Sequence, residues 1–272
     1  MWIVAPLAVL GAVGAGLLIY RFVVDPLVAN TADALKLTLY RKQRIAESDA
    51  HRADVNQFAD RYTTAAEQLG HDKAAVRLAG VYALARLVDD WEEQRQVCVD
   101  VLCAYLRMPY RTDPDATGYK EGEHEVRHTI IRLIRDRLCL SSGHPRSWQG
   151  LDFDFTAVAF DGGSLSGATF SGGEVSFVGA TFSGGKGSFV DATFSGALVR
   201  FYFATFDGDS LVSFINARFS GGLVDFEFAT FSGGSVDLRR IASWEKPPRL
   251  DQWVWDYPLA GLLLPAPTVG RP

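Results

Sequence analysis

Apolar and polar positions follow three different patterns along the chain. Residues 1–20 carry no charged side chain, residues 31–140 place apolar side chains at three- and four-residue steps, and residues 151–238 place them at steps of five and seven. The first stretch is long enough for a helix of about 30 Å, the thickness of the hydrocarbon layer of a membrane. The second pattern is typical of amphipathic helices, and the third is an internal repeat.

Residues 1–24 are predicted to form a transmembrane anchor that contacts membrane lipid through residues 2–20. The alternatives are a cleaved signal peptide and a buried core helix. A signal peptide normally begins with basic residues, but no Lys or Arg precedes this apolar run, and Arg21 and Asp25 follow it. A retained anchor therefore fits the sequence better.

The charges around this segment predict its orientation. Basic residues such as Arg21, Lys36 and Arg41 all follow the apolar run, and flanking basic residues stay on the cytoplasmic side of a membrane. We expect a single-pass membrane protein with its N-terminus outside and its C-terminal domains in the cytoplasm. Small residues at positions 11, 12, 15 and 16 have the spacing that lets two such helices pack, so the anchor could support a homodimer.

Residues 25–145 are predicted to form an all-helical domain. One helix ends at Leu69-Gly70, the next covers about residues 73–90, a third ends before Pro109, and a fourth runs over about residues 123–140. The second of these has an apolar stripe at Val76, Leu78, Val81, Leu84 and Leu87. The three cysteines, Cys98, Cys103 and Cys139, fall in these helices, which is typical of reduced, buried thiols.

Residues 151–240 are predicted to form a repeat domain, because one phrase recurs through them. Ala-Thr-Phe stands at residues 168–170, 180–182, 192–194, 204–206 and 229–231, with Ala-Arg-Phe at 217–219. A second apolar set lies between these phrases, at Phe177, Phe189, Phe201, Phe214, Phe226 and Leu238. Sixteen of the 18 Phe lie in residues 151–231. The regular spacing of these Phe residues indicates a stacked aromatic core, because a flexible Gly- and Ser-rich linker would have no regularly spaced aromatic residues.

A large apolar residue at every fifth position, with a small residue two places before it, resembles the pentapeptide-repeat family. The resemblance implies a right-handed quadrilateral parallel β-helix in which both residues of each pair point inward. The core residues that it implies are Ala168, Ala180, Ala192, Ala204, Ala217, Ala229, Phe170, Phe177, Phe182, Phe189, Phe194, Phe201, Phe206, Phe214, Phe219, Phe226 and Phe231. The chain departs from the family by two extra residues in every second step, at Ser-Gly-Gly corners. We therefore expect about 24 residues per coil, nearly four coils and a rise of roughly 4.8 Å per coil.

The helical region extends the resemblance. Residues 60–90 resemble a single HEAT-like unit, and residues 61–107 resemble a segment that precedes the repeats in bacterial pentapeptide-repeat proteins. The chain is thus predicted to be an α + β protein of the bacterial cell membrane, built from an anchor, a helical domain and a β-helix. Residues 241–272, rich in Trp and Pro with Trp244, Trp253 and Trp255, are expected to be a C-terminal cap or tail.

One motif carries possible metal chemistry. His124, Glu125 and His128 match H-E-x-x-H, in which two His four residues apart on a helix bind zinc and the Glu activates water. A zinc peptidase needs a third ligand, and no His, Asp or Glu follows at the usual spacing, where Ile134 stands. The interpretation that fits better is a solvated, charged helix face, so the sequence predicts no catalytic residue, no metal and no cofactor.

Charge and composition favour an interaction protein. Residues 151–238 carry ten acidic against three basic side chains, so no basic stripe for nucleic acid is present there and no nucleic-acid partner is expected. We expect a non-enzymatic, membrane-tethered scaffold that binds a protein whose identity the sequence does not reveal. The alternatives are an acidic DNA mimic that binds a type II topoisomerase, as some pentapeptide-repeat proteins do, and the zinc peptidase.

Overall fold

A computed structural model describes residues 25–251 and 260–265, with side chains from residue 33 onward. The described residues divide into two units, with the boundary between residues 59 and 60. The predicted transmembrane anchor, residues 1–24, lies outside the described residues. Within the described part of the chain, no helix combines the length and the apolar composition of a membrane span.

The first helix, α1 (Asp25–Leu69), is 45 residues long. Nearly all side chains from residue 33 to residue 59 are exposed, including Leu35, Leu39 and Ile45. Apolar and charged side chains are mixed around this stretch rather than separated onto two faces, so it lacks the stripe with which a helix packs on a core.

Three further helices belong to the second unit, namely α2 (Ala74–Asp90), α3 (Arg95–Arg107) and α4 (Glu123–Leu138), with a 3-10 turn at Glu92–Gln94. The all-helical prediction for this region is confirmed. Helix α2 packs against α3 and α4, with Val81, Leu84 and Leu87 of the predicted stripe buried. The thiols Cys98 and Cys103 are buried as expected, whereas Cys139 is exposed because α4 ends one residue before it.

The strands of the second unit form a parallel β-solenoid of about four turns, consistent with the pentapeptide-repeat fold. Its strands are β1 (Phe153–Asp154), β2 (Ala159–Phe160), β3 (Gly163–Ser164), β4 (Thr169–Phe170), β5 (Glu174–Ser176), β6 (Thr181–Ser183), β7 (Lys186–Ser188), β8 (Thr193–Phe194), β9 (Leu198–Arg200), β10 (Thr205–Asp207), β11 (Leu211–Ser213), β12 (Arg218–Phe219), β13 (Leu223–Asp225), β14 (Thr230–Ser232), β15 (Ser235–Asp237) and β16 (Leu262–Leu263). From β1 to β15 each strand pairs in parallel with the strand four places along the chain, and β16 pairs with β15, so the described strands form four sheets, one on each face of the coil.

The strand register gives the length of each coil. On the face that begins with β1, Phe153 pairs with Val175, Val175 with Val199, and Val199 with Val224, so successive coils take 22, 24 and 25 residues. The rings of Phe177 and Phe201 stack with centroids 4.6 Å apart, close to the spacing of neighbouring strands. The first coil is shorter because its residues still advance by uninterrupted fives.

The predicted inward residues lie mostly inside the solenoid. All are buried except Ala229 and Phe231, which are half-buried because they belong to the last coil, where less of the chain covers them. Two further Phe of this region, which the repeat pattern does not include among the core residues, lie outside the stack. Phe203 and Phe228 point outward, with 56% and 50% of their surface exposed.

Both ends of the solenoid are in contact with other parts of the second unit. Helix α3 packs on β1 and helix α4 on β3, so the helices cover the first coil. Beyond residue 240 the chain continues to pair with the last coil, through the bridge of Ser243 to Arg218 and through β16 on β15. Trp244 stacks on Phe219 with ring centroids 5.8 Å apart. These contacts reduce the exposed strand edges that an open coil would present.

Candidate functional site

The first turn of α4 is fixed by a buried polar network. The carboxylate of Glu123 accepts a hydrogen bond from the Tyr105 hydroxyl at 2.7 Å and pairs with the fully buried Arg77 guanidinium at 3.3 Å. Gly122, just before the helix, has a left-handed backbone and lies so close to Ala74 that a Cβ there would come within 2.6 Å of the Ala74 Cβ. The start of α4 therefore has little freedom, and the residue that follows Glu123 is His124.

His124 and His128 lie one turn apart on the same side of α4, and a third group from the solenoid meets them. Their rings stack with centroids 4.0 Å apart. The Asp161 carboxylate lies 2.9 Å from His128 Nε2 and 3.7 Å from His124 Nε2. One potential ligand atom of each residue lies within 4.8 Å of the others. The structure thus places a third potential ligand beside the two histidines of the sequence motif.

The Asp161 carboxylate is held in its ionised form. Burial raises its pKa, but the hydrogen bonds from His128 and from the Tyr110 hydroxyl outweigh that effect and lower the pKa to about 2. The hydroxyl donates to the other carboxylate oxygen at 2.5 Å, and its own pKa is raised by burial and by this bond. The guanidinium of Arg127 lies over the Tyr110 ring, 4.4 Å from its centroid. The carboxylate is therefore oriented by a second layer of contacts.

Asp161 reaches α4 because the corner around it has unusually close backbone packing. It follows β2 and precedes Gly162 and Gly163, both with positive φ. A Cβ at Gly163 would lie 3.1 Å from the side chain of Ile131 on α4, and a Cβ at Gly185, in the next coil, would lie 2.5 Å from the Asp161 carbonyl oxygen. Glycine at these positions allows α4 on one side and the next coil on the other to approach the carboxylate.

A cavity of about 420 Å³ adjoins His124 and Asp161. Its walls include Tyr110, Tyr119, His124, Glu125 and Asp161. Two imidazoles and one carboxylate are ligands that zinc accepts, and a site with three protein ligands keeps a coordination position free. Glu125 is exposed beside the same cavity, and it is not one of the three grouped side chains.

The sequence motif contains the two histidines, which the sequence alone favoured as part of a solvated helix face, but not Asp161. Asp161 lies 33 residues beyond His128 and becomes a neighbour only because α4 packs on the first coil. One signal was available. Four later corners read Ser-Gly-Gly, whereas the corner after Phe160 reads Asp161-Gly-Gly, so a carboxylate stands where those corners begin with a serine hydroxyl.

A second feature of the solenoid surface is an aromatic corner, formed by Tyr202, Phe203 and Phe228. The rings of Phe203 and Phe228 stack at 5.5 Å between centroids, and Tyr202 meets them edge-on at 4.6 and 4.9 Å. Tyr202 is half-buried, whereas both Phe are exposed. Three aromatic side chains thus form one continuous apolar surface on neighbouring coils.

The backbone of the aromatic corner is strained. Ala157, Gly179, Phe203 and Phe228 occupy equivalent corners of successive coils, and all have φ between 56° and 63°. Glycine adopts this left-handed conformation readily, while a bulky side chain pays roughly 1–2 kcal/mol for it. At the opposite corner the equivalent positions hold Gly167, Asp191 and Asn216, which are residue types that tolerate it.

Comparison with protein-family models, with curated proteins and with solved structures finds no significant match to this chain.

Proposed function

We propose that the chain is a non-enzymatic, membrane-tethered scaffold of the bacterial pentapeptide-repeat type, which binds a protein partner through the outer surface of its β-solenoid. The observation that carries this proposal is the aromatic corner. Two phenylalanines are exposed at positions where the backbone favours glycine. Packing within the solenoid does not require them there, because equivalent corners hold Ala157 and Gly179.

The energetics of the aromatic corner favour a binding role. Strain at bulky residues in left-handed conformations is characteristic of functional positions, where another gain offsets it. Exposed aromatic side chains dominate the energy of protein interfaces when a partner buries them. Phe203 and Phe228 combine both properties, since each is strained and about half exposed.

The interior of the solenoid favours a scaffold over an enzyme. Its Phe rings stack directly on one another, for example Phe194 on Phe170 and on Phe219 with 5.0 Å between centroids in each case. Such a filled interior has no room for a small substrate, and binding by this domain must then use its outer surface.

The charge of the repeats suggests the chemistry of the partner. Residues 151–238 have a net charge of −7, from ten acidic and three basic side chains. We infer a partner surface with an apolar pocket for the two Phe rings and basic side chains around it. If residues 2–20 hold the chain at the membrane, the local concentration of scaffold and partner rises there, so that a weak contact suffices.

The same charge supports the alternative of a topoisomerase-binding DNA mimic. Full chain that inhibits supercoiling by DNA gyrase at micromolar concentration would favour this alternative. Unchanged supercoiling would remove it.

Photo-crosslinking tests the scaffold proposal. A photoreactive phenylalanine analogue replaces Phe203 in the full chain, in its native cells, and the control carries the analogue at Asn216 on the opposite corner. We expect a discrete protein adduct from position 203 that position 216 does not give and that Phe228→Asn abolishes. The same adducts from both positions, or none from position 203, would contradict a binding role for the aromatic corner.

A further inference from the structure

We propose that His124, His128 and Asp161 form a zinc site with one coordination position open to the adjoining cavity. This site is independent of the aromatic corner and of the scaffold function. Zinc prefers imidazole nitrogen, carboxylate oxygen and thiolate ligands, usually four in tetrahedral geometry. The three side chains offer two imidazole nitrogens and one carboxylate oxygen within 4.8 Å of one another.

The distances are close to those that a zinc ion requires. Ligand atoms about 2.0–2.2 Å from the metal in a tetrahedral site lie about 3.4 Å apart. Asp161 Oδ1 lies 2.9 Å from His128 Nε2 and Asp161 Oδ2 lies 3.7 Å from His124 Nε2, so the two contacts, made by different oxygens of the carboxylate, lie on either side of that value. Small side-chain rotations therefore suffice, and the backbone of α4 and of the first coil can stay in place.

Burial and charge also suit a cation. Of the three side chains, His124 is 60% exposed, His128 26% and Asp161 18%, so the ligands run from the protein surface inward. The Tyr110 hydroxyl orients the Asp161 carboxylate through a hydrogen bond of 2.5 Å. A partner that orients a metal ligand in this way is typical of metal sites, where its loss weakens metal binding about 10–100-fold.

We expect the open coordination position of the zinc on the side of the cluster that faces the cavity. His124 and Asp161 border the cavity of about 420 Å³, and the three protein ligands leave one tetrahedral position for water or for a small oxygen ligand. Acetohydroxamate, which binds zinc through two oxygens, is therefore expected to enter from the cavity, take the place of that water and make the zinc five-coordinate.

Zinc binding by the purified full chain tests the proposal directly. We expect about one zinc per chain after dialysis, and Co²⁺ in its place should give the visible absorption of a low-symmetry site, altered by acetohydroxamate. Asp161→Asn and His128→Ala should weaken binding at least about 100-fold, more than the loss of an orienting residue does. Tyr110→Phe should weaken it about 10–100-fold.

Two control variants and one further ligand variant accompany this test. Glu125→Gln changes the motif residue that is not a ligand, and His51→Ala removes an exposed histidine on α1; both should bind zinc as the unmodified chain does. His124→Ala removes the most exposed ligand, so it tests the site even if the inner variants fail to fold. Any of three results would overturn the assignment. These are only trace zinc in the unmodified chain, the same zinc affinity in Asp161→Asn as in the unmodified chain, and loss of zinc binding in Glu125→Gln. A Co²⁺ spectrum that acetohydroxamate leaves unchanged would overturn the open position.

Discussion

Neighbouring side chains of a solenoid strand point in opposite directions, one inward and the next outward, and substitutions in and beside β8 can test this. Phe194 is fully buried between Phe170 and Phe219, Ala192 is fully buried beside it, and Thr193 is half-buried on the outer side. We expect Phe194→Ala to lower the free energy of unfolding by about 3–5 kcal/mol through a cavity and lost ring contacts. Thr193→Ala should change it by about 0.5 kcal/mol or less.

Ala192→Glu should be the most damaging of these three changes. It forces an unpaired carboxylate into a space filled by a methyl group, and burying an unpaired charge costs far more than burying an unpaired polar group. Thermal and urea denaturation followed by circular dichroism measure all three variants. Equal melting temperatures for Ala192→Glu and Thr193→Ala would show that the inward and outward positions are exchanged.

Phe201 and Phe203 form a matched pair two residues apart, one buried and one exposed. Phe203→Asn relieves a left-handed strain of roughly 1–2 kcal/mol and loses ring contacts worth about 0.5–1.5 kcal/mol. The two effects nearly cancel, so we expect stability within about 1 kcal/mol of the unmodified chain. Phe201→Ala, in contrast, should cost about 3–5 kcal/mol. A Phe203→Asn variant destabilised as much as Phe201→Ala would mean that the aromatic corner serves the fold.

At the scale of elements, the contact between α1 and α2 depends on a single glycine. An added Cβ at Gly80 would lie 2.7 Å from the Leu69 nitrogen and 2.8 Å from the Ala65 carbonyl oxygen. Alanine ordinarily stabilises a helix interior by about 0.5–1 kcal/mol relative to glycine. Here the clash is with backbone, which cannot rotate away, and overpacking of this kind costs about 1–3 kcal/mol.

We therefore expect Gly80→Ala to lower the melting temperature, against the helix propensity. Gly143→Ala is the control, because an added Cβ there has no neighbour within 4 Å, and it should be nearly neutral. The melting temperatures of the two variants decide the matter. A Gly80→Ala variant that melts above the unmodified chain would show that the two helices are not packed this closely.

Elements differ in how far the sequence predicts them, and the reason is the range of the interactions. Coil length and strand pairing follow from a local period, so the phrases that end in Phe170, Phe194 and Phe219 predict one face of the solenoid. The cluster of aromatic residues at the corner of Phe203 could not be predicted in the same way. The spacing of the repeats shows which positions point inward, but it does not determine which residue types occupy the corners. The pairing of Asp161 with His128 depends on α4 packing against β3, which no local pattern encodes.

At the scale of the whole molecule, the second unit combines helices with a β-solenoid, and the helices cover one end of the solenoid. A short solenoid exposes strand edges at both ends, and the helices α3 and α4 cover one end. The polar contacts across this junction include Arg107 with Asp154 and Tyr110 with Asp161. A metal ion bound by His124, His128 and Asp161 would add a further link at the same junction, because these ligands come from two segments that are distant in the sequence.

The remaining prediction concerns the placement of the chain at a membrane. Residues 1–20 are uncharged, and the basic residues Arg21, Lys36 and Arg41 all follow them, so these should stay in the cytoplasm. We expect the full chain to remain in the membrane fraction after an alkaline carbonate wash and deletion of residues 1–24 to release it. A cysteine that replaces Asp60 should react with a membrane-impermeant maleimide only after the cells are opened, with an Ala substitution at the exposed Cys139 as background. Labelling of residue 60 in intact cells would reverse the orientation, because it would place the helices and the solenoid outside.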